Sequence, residues 1–98
     1  MKVRLNFTPR AAKDLAELAR DTGRRKRLKS VQKALGLLET SQRHPSLHTH
    51  KYQSFSGPRG EEIFEAYAEN KTPAAYRIFW FYGPEADSIT IVAITPHP

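Results

Sequence analysis

Three side chains in the last third of the chain have the chemistry to work on a phosphodiester. Arg77 interrupts the most aromatic run in the protein, Tyr76, Ile78, Phe79, Trp80, Phe81 and Tyr82, and His97 sits between Pro96 and Pro98. A guanidinium offers a fixed fork of donors to phosphate oxygens, and an imidazole exchanges protons near neutrality. Glu65, on the apolar-flanked stretch Ile63-Phe64-Glu65-Ala66-Tyr67, is placed to take a proton. Each also has a plainer reading: Arg77 and Glu65 as a structural ion pair, His97 as a frayed tail residue. The two flanking prolines favour a held imidazole. His44, His48 and His50 invite a metal with His97 or Glu65, but no established ligand spacing links them, and no metal or other cofactor is expected.

The elements that must position these groups follow from periodicity. Glu61 to Glu69, Ala75 to Gly83 and Ser88 to Thr95 read as three strands, separated by the turn-rich segments Asn70-Lys71-Thr72-Pro73 and Gly83-Pro84-Glu85-Ala86-Asp87. In the middle strand Phe79 and Phe81 share a side with Arg77, while Tyr76, Ile78, Trp80 and Tyr82 take the other. Apolar on both faces, it belongs near the sheet centre. Ile63, Glu65 and Tyr67 share one face of the preceding strand, opposite Phe64 and Ala66.

Ahead of them, Lys2 to Phe7 alternates, with Val3, Leu5 and Phe7 expected inward. Thr8-Pro9 is a helix start, and Ala12, Leu15, Ala16, Leu18 and Ala19 form an apolar stripe from Pro9 to about Asp21, with Gly23 ending it. A second helix is expected over about Arg24 to Ser41, carried by Leu28, Val31, Ala34, Leu35, Leu37 and Leu38. Leu47 to Ser54 reads as a short strand, and Ser56 to Gly60 as a loop. The order strand, helix, helix, four strands predicts one α+β domain over residues 1–98: a helix pair packed on one face of a largely antiparallel sheet, the first strand inserted beside a late one.

Composition narrows the function classes. The chain has 98 residues and no cysteine, so no disulfide framework or thiolate zinc site is available. No apolar run approaches a membrane span, and the alternating N-terminus is not a signal core, so a cytoplasmic location is expected. Up to Lys51 there are 13 Lys/Arg against 4 Asp/Glu, and from Tyr52 onward 3 against 6. A cationic front half suggests a polyanionic partner, nucleic acid or acidic protein, or else a merely solvated helix face. Arg24, Arg25, Lys26, Arg27, Lys29 and Lys33 crowd the start of the second helix, where cations oppose the helix dipole; that placement favours a binding role.

These residues resemble a family. Phe7-Thr8-Pro9-Arg10-Ala11-Ala12-Lys13-Asp14-Leu15, Tyr76-Arg77-Ile78-Phe79-Trp80 and the ending Asp87 to Pro98, in that order, are similar to the RelE/ParE superfamily of toxins from type II toxin-antitoxin pairs, over essentially the full length. The ending looks most like the RelE and YoeB branches, ribonucleases that cut messenger RNA on the ribosome. The resemblance implies a RelE-like fold and a cognate antitoxin. It also implies a metal-independent endoribonuclease in which a 2′-hydroxyl attacks the adjacent phosphate.

By the same resemblance, Arg77 matches the sheet arginine near the scissile phosphate, and His97 the C-terminal histidine of the YoeB branch. Glu65 or Tyr67 falls on the strand that carries a catalytic acid, base or lysine. Arg24, Arg25, Lys26, Arg27, Lys29, Lys33, His50 and Lys51 would bind ribosomal or messenger RNA phosphates, and the basic helix pair would equally suit an acidic antitoxin tail. The chain departs from the pattern at Pro98, where the YoeB branch has tyrosine, and at Glu65 and Tyr67, where the RelE branch has lysines. Two alternatives stand beside the nuclease: a ParE-like toxin acting on DNA gyrase, and a catalytically weak RNA- or antitoxin-binding relative.

Overall fold

The computed structural model describes residues 2–97. Its order is β1 (Arg4–Phe7), α1 (Pro9–Arg20), α2 (Arg25–Thr40), β2 (His50–Ser56), β3 (Glu62–Tyr67), β4 (Tyr76–Tyr82) and β5 (Ser88–Pro96), with short 3₁₀ turns at Thr22–Arg24 and Pro45–Leu47. The five strands form one sheet in the order β1-β5-β4-β3-β2. β1 runs parallel to β5, and the other pairs are antiparallel. The aromatic strand β4 is therefore central, as its two apolar faces require.

Both helices pack on one face. Val31, Ala34, Leu35 and Leu38 of α2 and Ala11 and Leu18 of α1 meet Phe64, Ala66, Tyr76, Ile78, Trp80, Ile89, Ile91 and Ile94 of the sheet. Trp80 is fully buried and stacks on Phe64 at 4.9 Å. Large apolar side chains buried like this contribute about 1.5–3 kcal/mol each, so this layer holds the fold. The opposite face has only a small cluster, Ile63, Phe79, Phe81 and Ala93 with Tyr52 and Val92 against it.

Four expectations are corrected. The stripe of α1 is narrower than read: Ala11, Leu15 and Leu18 face the sheet, while Ala12, Ala16 and Ala19 are exposed. Phe7 is 39% exposed, because it lies at the open end of an edge strand. The second strand begins at His50, not Leu47, because Pro45–Leu47 is taken up by a 3₁₀ turn and His48 has a left-handed backbone (φ 48°). Gly23 does not terminate α1; the helix stops at Arg20, and the Asp21 carboxylate accepts from the Gly23 amide at 3.0 Å.

Two polar side chains fix α1 to β5. The Thr8 hydroxyl accepts from the Ala11 amide, capping the helix, and donates to the Val92 carbonyl at 2.8 Å. The Asp14 carboxylate accepts from the Ile94 amide at 2.9 Å. Both bonds fall at an irregularity in β5. Phe79 pairs with Ala93 but Trp80 pairs with Ile91, which leaves Val92 as an extra residue.

That bulge reverses the phase of the strand. Ile89 and Ile91 before it face the helices, and so does Ile94 after it. With regular alternation from Ile91, His97 would point at the helices; with Val92 inserted, Ala93, Thr95 and His97 point to the other face, where Arg77 and Glu65 lie.

Candidate active site

Glu65 is the hub. It sits in β3, opposite His50 of β2 on one side and Phe79 of β4 on the other. Its side chain is 3% exposed, a costly place for a carboxylate unless its oxygens are satisfied. His50 Nε2 lies 2.7 Å from Oε1, and His97 Nδ1 lies 3.2 Å from Oε2. The two imidazoles are about half exposed, 47% and 51%. A buried anion thus carries two solvent-facing rings.

Arg77 lies beneath. Its side chain is 8% exposed, with Nε 3.7 Å from Glu65 Oε2. Nη1 donates to the Glu69 carbonyl at 2.6 Å, and the Tyr67 ring covers the guanidinium, its centroid 3.6 Å from Cζ. Tyr67 is opposite Arg77 in the β3–β4 register, so the stack is a direct cross-strand contact. The ring of His48 packs against Tyr67 at 4.9 Å and that of His50 meets it edge-on at 5.8 Å.

Arg77, His97, Glu65 and Tyr67, read from distant points of the chain, are therefore brought together on the face away from the helices. The His97 amide donates to the Ala75 carbonyl at 2.8 Å, which extends the β4–β5 ladder to this residue and holds its backbone. Pro98, a point of departure from the family pattern, lies outside the described residues. His50, expected among RNA-binding residues, turns inward to Glu65. Nothing in a single sequence gives the β2–β3 register that makes this contact. Glu69 was missed as well: its carbonyl holds Arg77, and its carboxylate accepts from the Tyr76 amide and pairs with Arg27 at 2.9 Å.

The cationic residues divide. Arg24 pairs with Asp21 and donates to the Tyr76 hydroxyl, and Arg27 is engaged by Glu69 and the Pro73 carbonyl. Lys51 pairs with Glu62 at 3.0 Å, both side chains well exposed. Arg25, Lys26, Lys29 and Lys33 are exposed on α2. A cavity of about 630 Å³ lies between the start of α2 and the β3–β4 loop, lined by Arg24, Lys26, Arg27 and Asn70 among others. A smaller one of about 180 Å³, lined by Lys33 and Tyr67, shares Ser30 and Ala68 with it. The two adjoin along α2, and the second reaches Tyr67.

Three solved structures are similar across nearly the whole chain. The YoeB dimer from Staphylococcus aureus matches with a TM-score of 0.65 and 14% identity, covering 100% of both chains. A YoeB/ParE toxin from Agrobacterium tumefaciens matches at 0.70 and 8%, covering 97% of this chain and 99% of that one. The archaeal RelE-RelB complex from Pyrococcus horikoshii OT3 contains a chain matching at 0.65 and 14%, covering 98% and 96%. No protein-family model and no curated protein sequence matches. The strand, helical hairpin and mixed sheet of this chain are the fold that these three toxin structures share.

Proposed function

We propose that the chain is the toxin of a type II toxin-antitoxin pair, an endoribonuclease that cuts messenger RNA on the ribosome. The observation that carries this reading is the Glu65 carboxylate between two half-exposed imidazoles, with Arg77 and Tyr67 packed beneath. RNA carries its own nucleophile, so cleavage needs only a proton acceptor for the 2′-hydroxyl, positive potential at the phosphoryl oxygens and a proton for the departing 5′-oxygen. His97 is the exposed proton exchanger. Glu65 orients it, Arg77 supplies positive charge from below, and Tyr67 holds the guanidinium in place. No metal is required by this chemistry.

The cavities along α2 lead cationic side chains, Lys26 and Lys33 among them, to Tyr67, and suit the backbone of a single strand. Arg25 and Lys29 are exposed on the same helix, and this surface equally suits an acidic antitoxin segment. A cytoplasmic site of action follows from the target, and no helix among the described residues is long and apolar enough to cross a membrane.

Primer-extension mapping of transcripts after brief induction tests the reading. The wild-type chain is expected to arrest growth and to produce new 5′ ends within coding sequences, and His97→Ala and Arg77→Ala to abolish both. Double-strand breaks with intact transcripts would instead identify a gyrase-directed toxin, a reading that the similarity to the YoeB/ParE toxin keeps in play.

A further inference from the structure

Resting on the nuclease reading above, we infer that His50 is a positioning residue: it locks Glu65 so that His97 meets the RNA through a bare Nε2 and acts as the base. The hydrogen-bond pattern dictates which ring nitrogens carry protons. His50 Nδ1 is 2.8 Å from the His48 carbonyl oxygen, which can only accept, so Nδ1 bears a hydrogen. His50 Nε2 is 2.7 Å from Glu65 Oε1, and an ionised carboxylate also only accepts. Both ring nitrogens of His50 are thus taken up by protein oxygens. Half exposed as it is, it has no nitrogen left for a substrate.

His97 is the complement. Its Nδ1 lies 3.2 Å from Glu65 Oε2, and Nε2 has no bond within the described residues. A carboxylate that takes the Nδ1 hydrogen fixes the tautomer and leaves Nε2 as an acceptor facing solvent, the logic by which buried carboxylates orient imidazoles in hydrolases.

The charged and titratable groups around His50 agree with this state. Glu65 faces it directly, the Tyr67 ring meets it edge-on, and Lys51 is turned to Glu62. Arg77, with Nε 3.7 Å from Glu65 Oε2, adds a cation to the carboxylate. In the reaction His97 Nε2 takes the 2′-hydroxyl proton as the O2′–P bond forms. The P–O5′ bond breaks, the 5′-oxygen takes a proton from water, and the products are a 2′,3′-cyclic phosphate and a 5′-hydroxyl.

The test combines ring-nitrogen NMR on the ¹⁵N-histidine-labelled, antitoxin-free chain with cleavage of messenger RNA on ribosomes. The wild-type spectrum is expected to show His50 protonated at both nitrogens and His97 as the Nδ1–H tautomer. His50→Ala should release the His97 tautomer and lower kcat by roughly 10- to 100-fold, the scale for removing an orienting partner. KM should stay within about twofold, because His50 makes no substrate contact. His50→Gln keeps an N–H donor for Glu65 and should retain most of the rate.

A wild-type His50 with one bare nitrogen would overturn the inference, as would unchanged kcat and His97 tautomer in a folded His50→Ala. Should that variant not fold, the wild-type spectrum and His50→Gln decide. A wild-type chain that cuts no RNA overturns the nuclease reading instead, and the ring spectra still decide the arrangement.

Discussion

A carboxylate withdrawn from water costs several kcal/mol unless its oxygens are met, and Glu65 meets that demand with an imidazole on each oxygen and a guanidinium close by. Arg77 is held from three sides, by the Glu69 carbonyl, the Tyr67 ring and Glu65. Removing it should therefore be felt in the free protein, not only in catalysis. Arg77→Ala is expected to destabilise the chain by about 2–3 kcal/mol, the scale for losing buried charge-assisted bonds, measured by urea unfolding. A change under about 0.5 kcal/mol, as at an ordinary surface site, would mean that the guanidinium is not bound as described. At this scale the sequence was informative about residue types: Arg77, Glu65 and His97 stand out by their surroundings, and strand parity placed Arg77 and Glu65 on the faces they occupy. It read His50 as an RNA-binding residue and did not give its bond to Glu65, which depends on a register set by the 3₁₀ turn and left-handed residue before β2.

The elements reach these residues through β5. Hydrophobic alternation marks a strand from Ser88 onward, yet the run Ile89, Ile91, Val92, Ala93 and Ile94 has too many apolar residues in succession to reveal which one is extra. Val92 is, and the bulge it makes turns His97 toward Glu65. Helix α1 stabilises this irregularity: the Thr8 hydroxyl that caps it donates to the Val92 carbonyl, and the Asp14 carboxylate accepts from the Ile94 amide. The Asp14 contact explains a polar residue on the inward side of a helix, a position that periodicity alone treats as solvent-facing. Asp14→Ala leaves the Ile94 amide without its acceptor and should cost about 1–3 kcal/mol. It should also raise hydrogen exchange at Ile94 above that of Ile89. Exchange unchanged at Ile94 would show that the helix does not support the bulge. Helix and strand order, the central place of β4 and the insertion of the first strand beside a late one were legible because apolar patterning and connection rules constrain them; that the late strand is β5 was not. The bulge was not, because it is a property of paired strands.

Across the whole molecule, charge and chemistry are separated but connected. The helix hairpin carries most of the exposed cations, the sheet carries the Glu65 cluster, and cavities along α2 run from the one towards Tyr67. On the proposed reading such a layout draws a polyanion by long-range attraction, which weakens with salt, and assigns cutting to one exposed imidazole. The account requires the RNA to supply its own nucleophile. It is tested most directly with a messenger bearing a single 2′-deoxy nucleotide on the 5′ side of the mapped cut, presented on ribosomes to the purified chain. Cleavage at that position is expected to vanish while neighbouring cuts persist, and the all-ribose control to end in a 2′,3′-cyclic phosphate. Equal cleavage of the 2′-deoxy messenger would contradict the account, since the attacking group would then have to come from water.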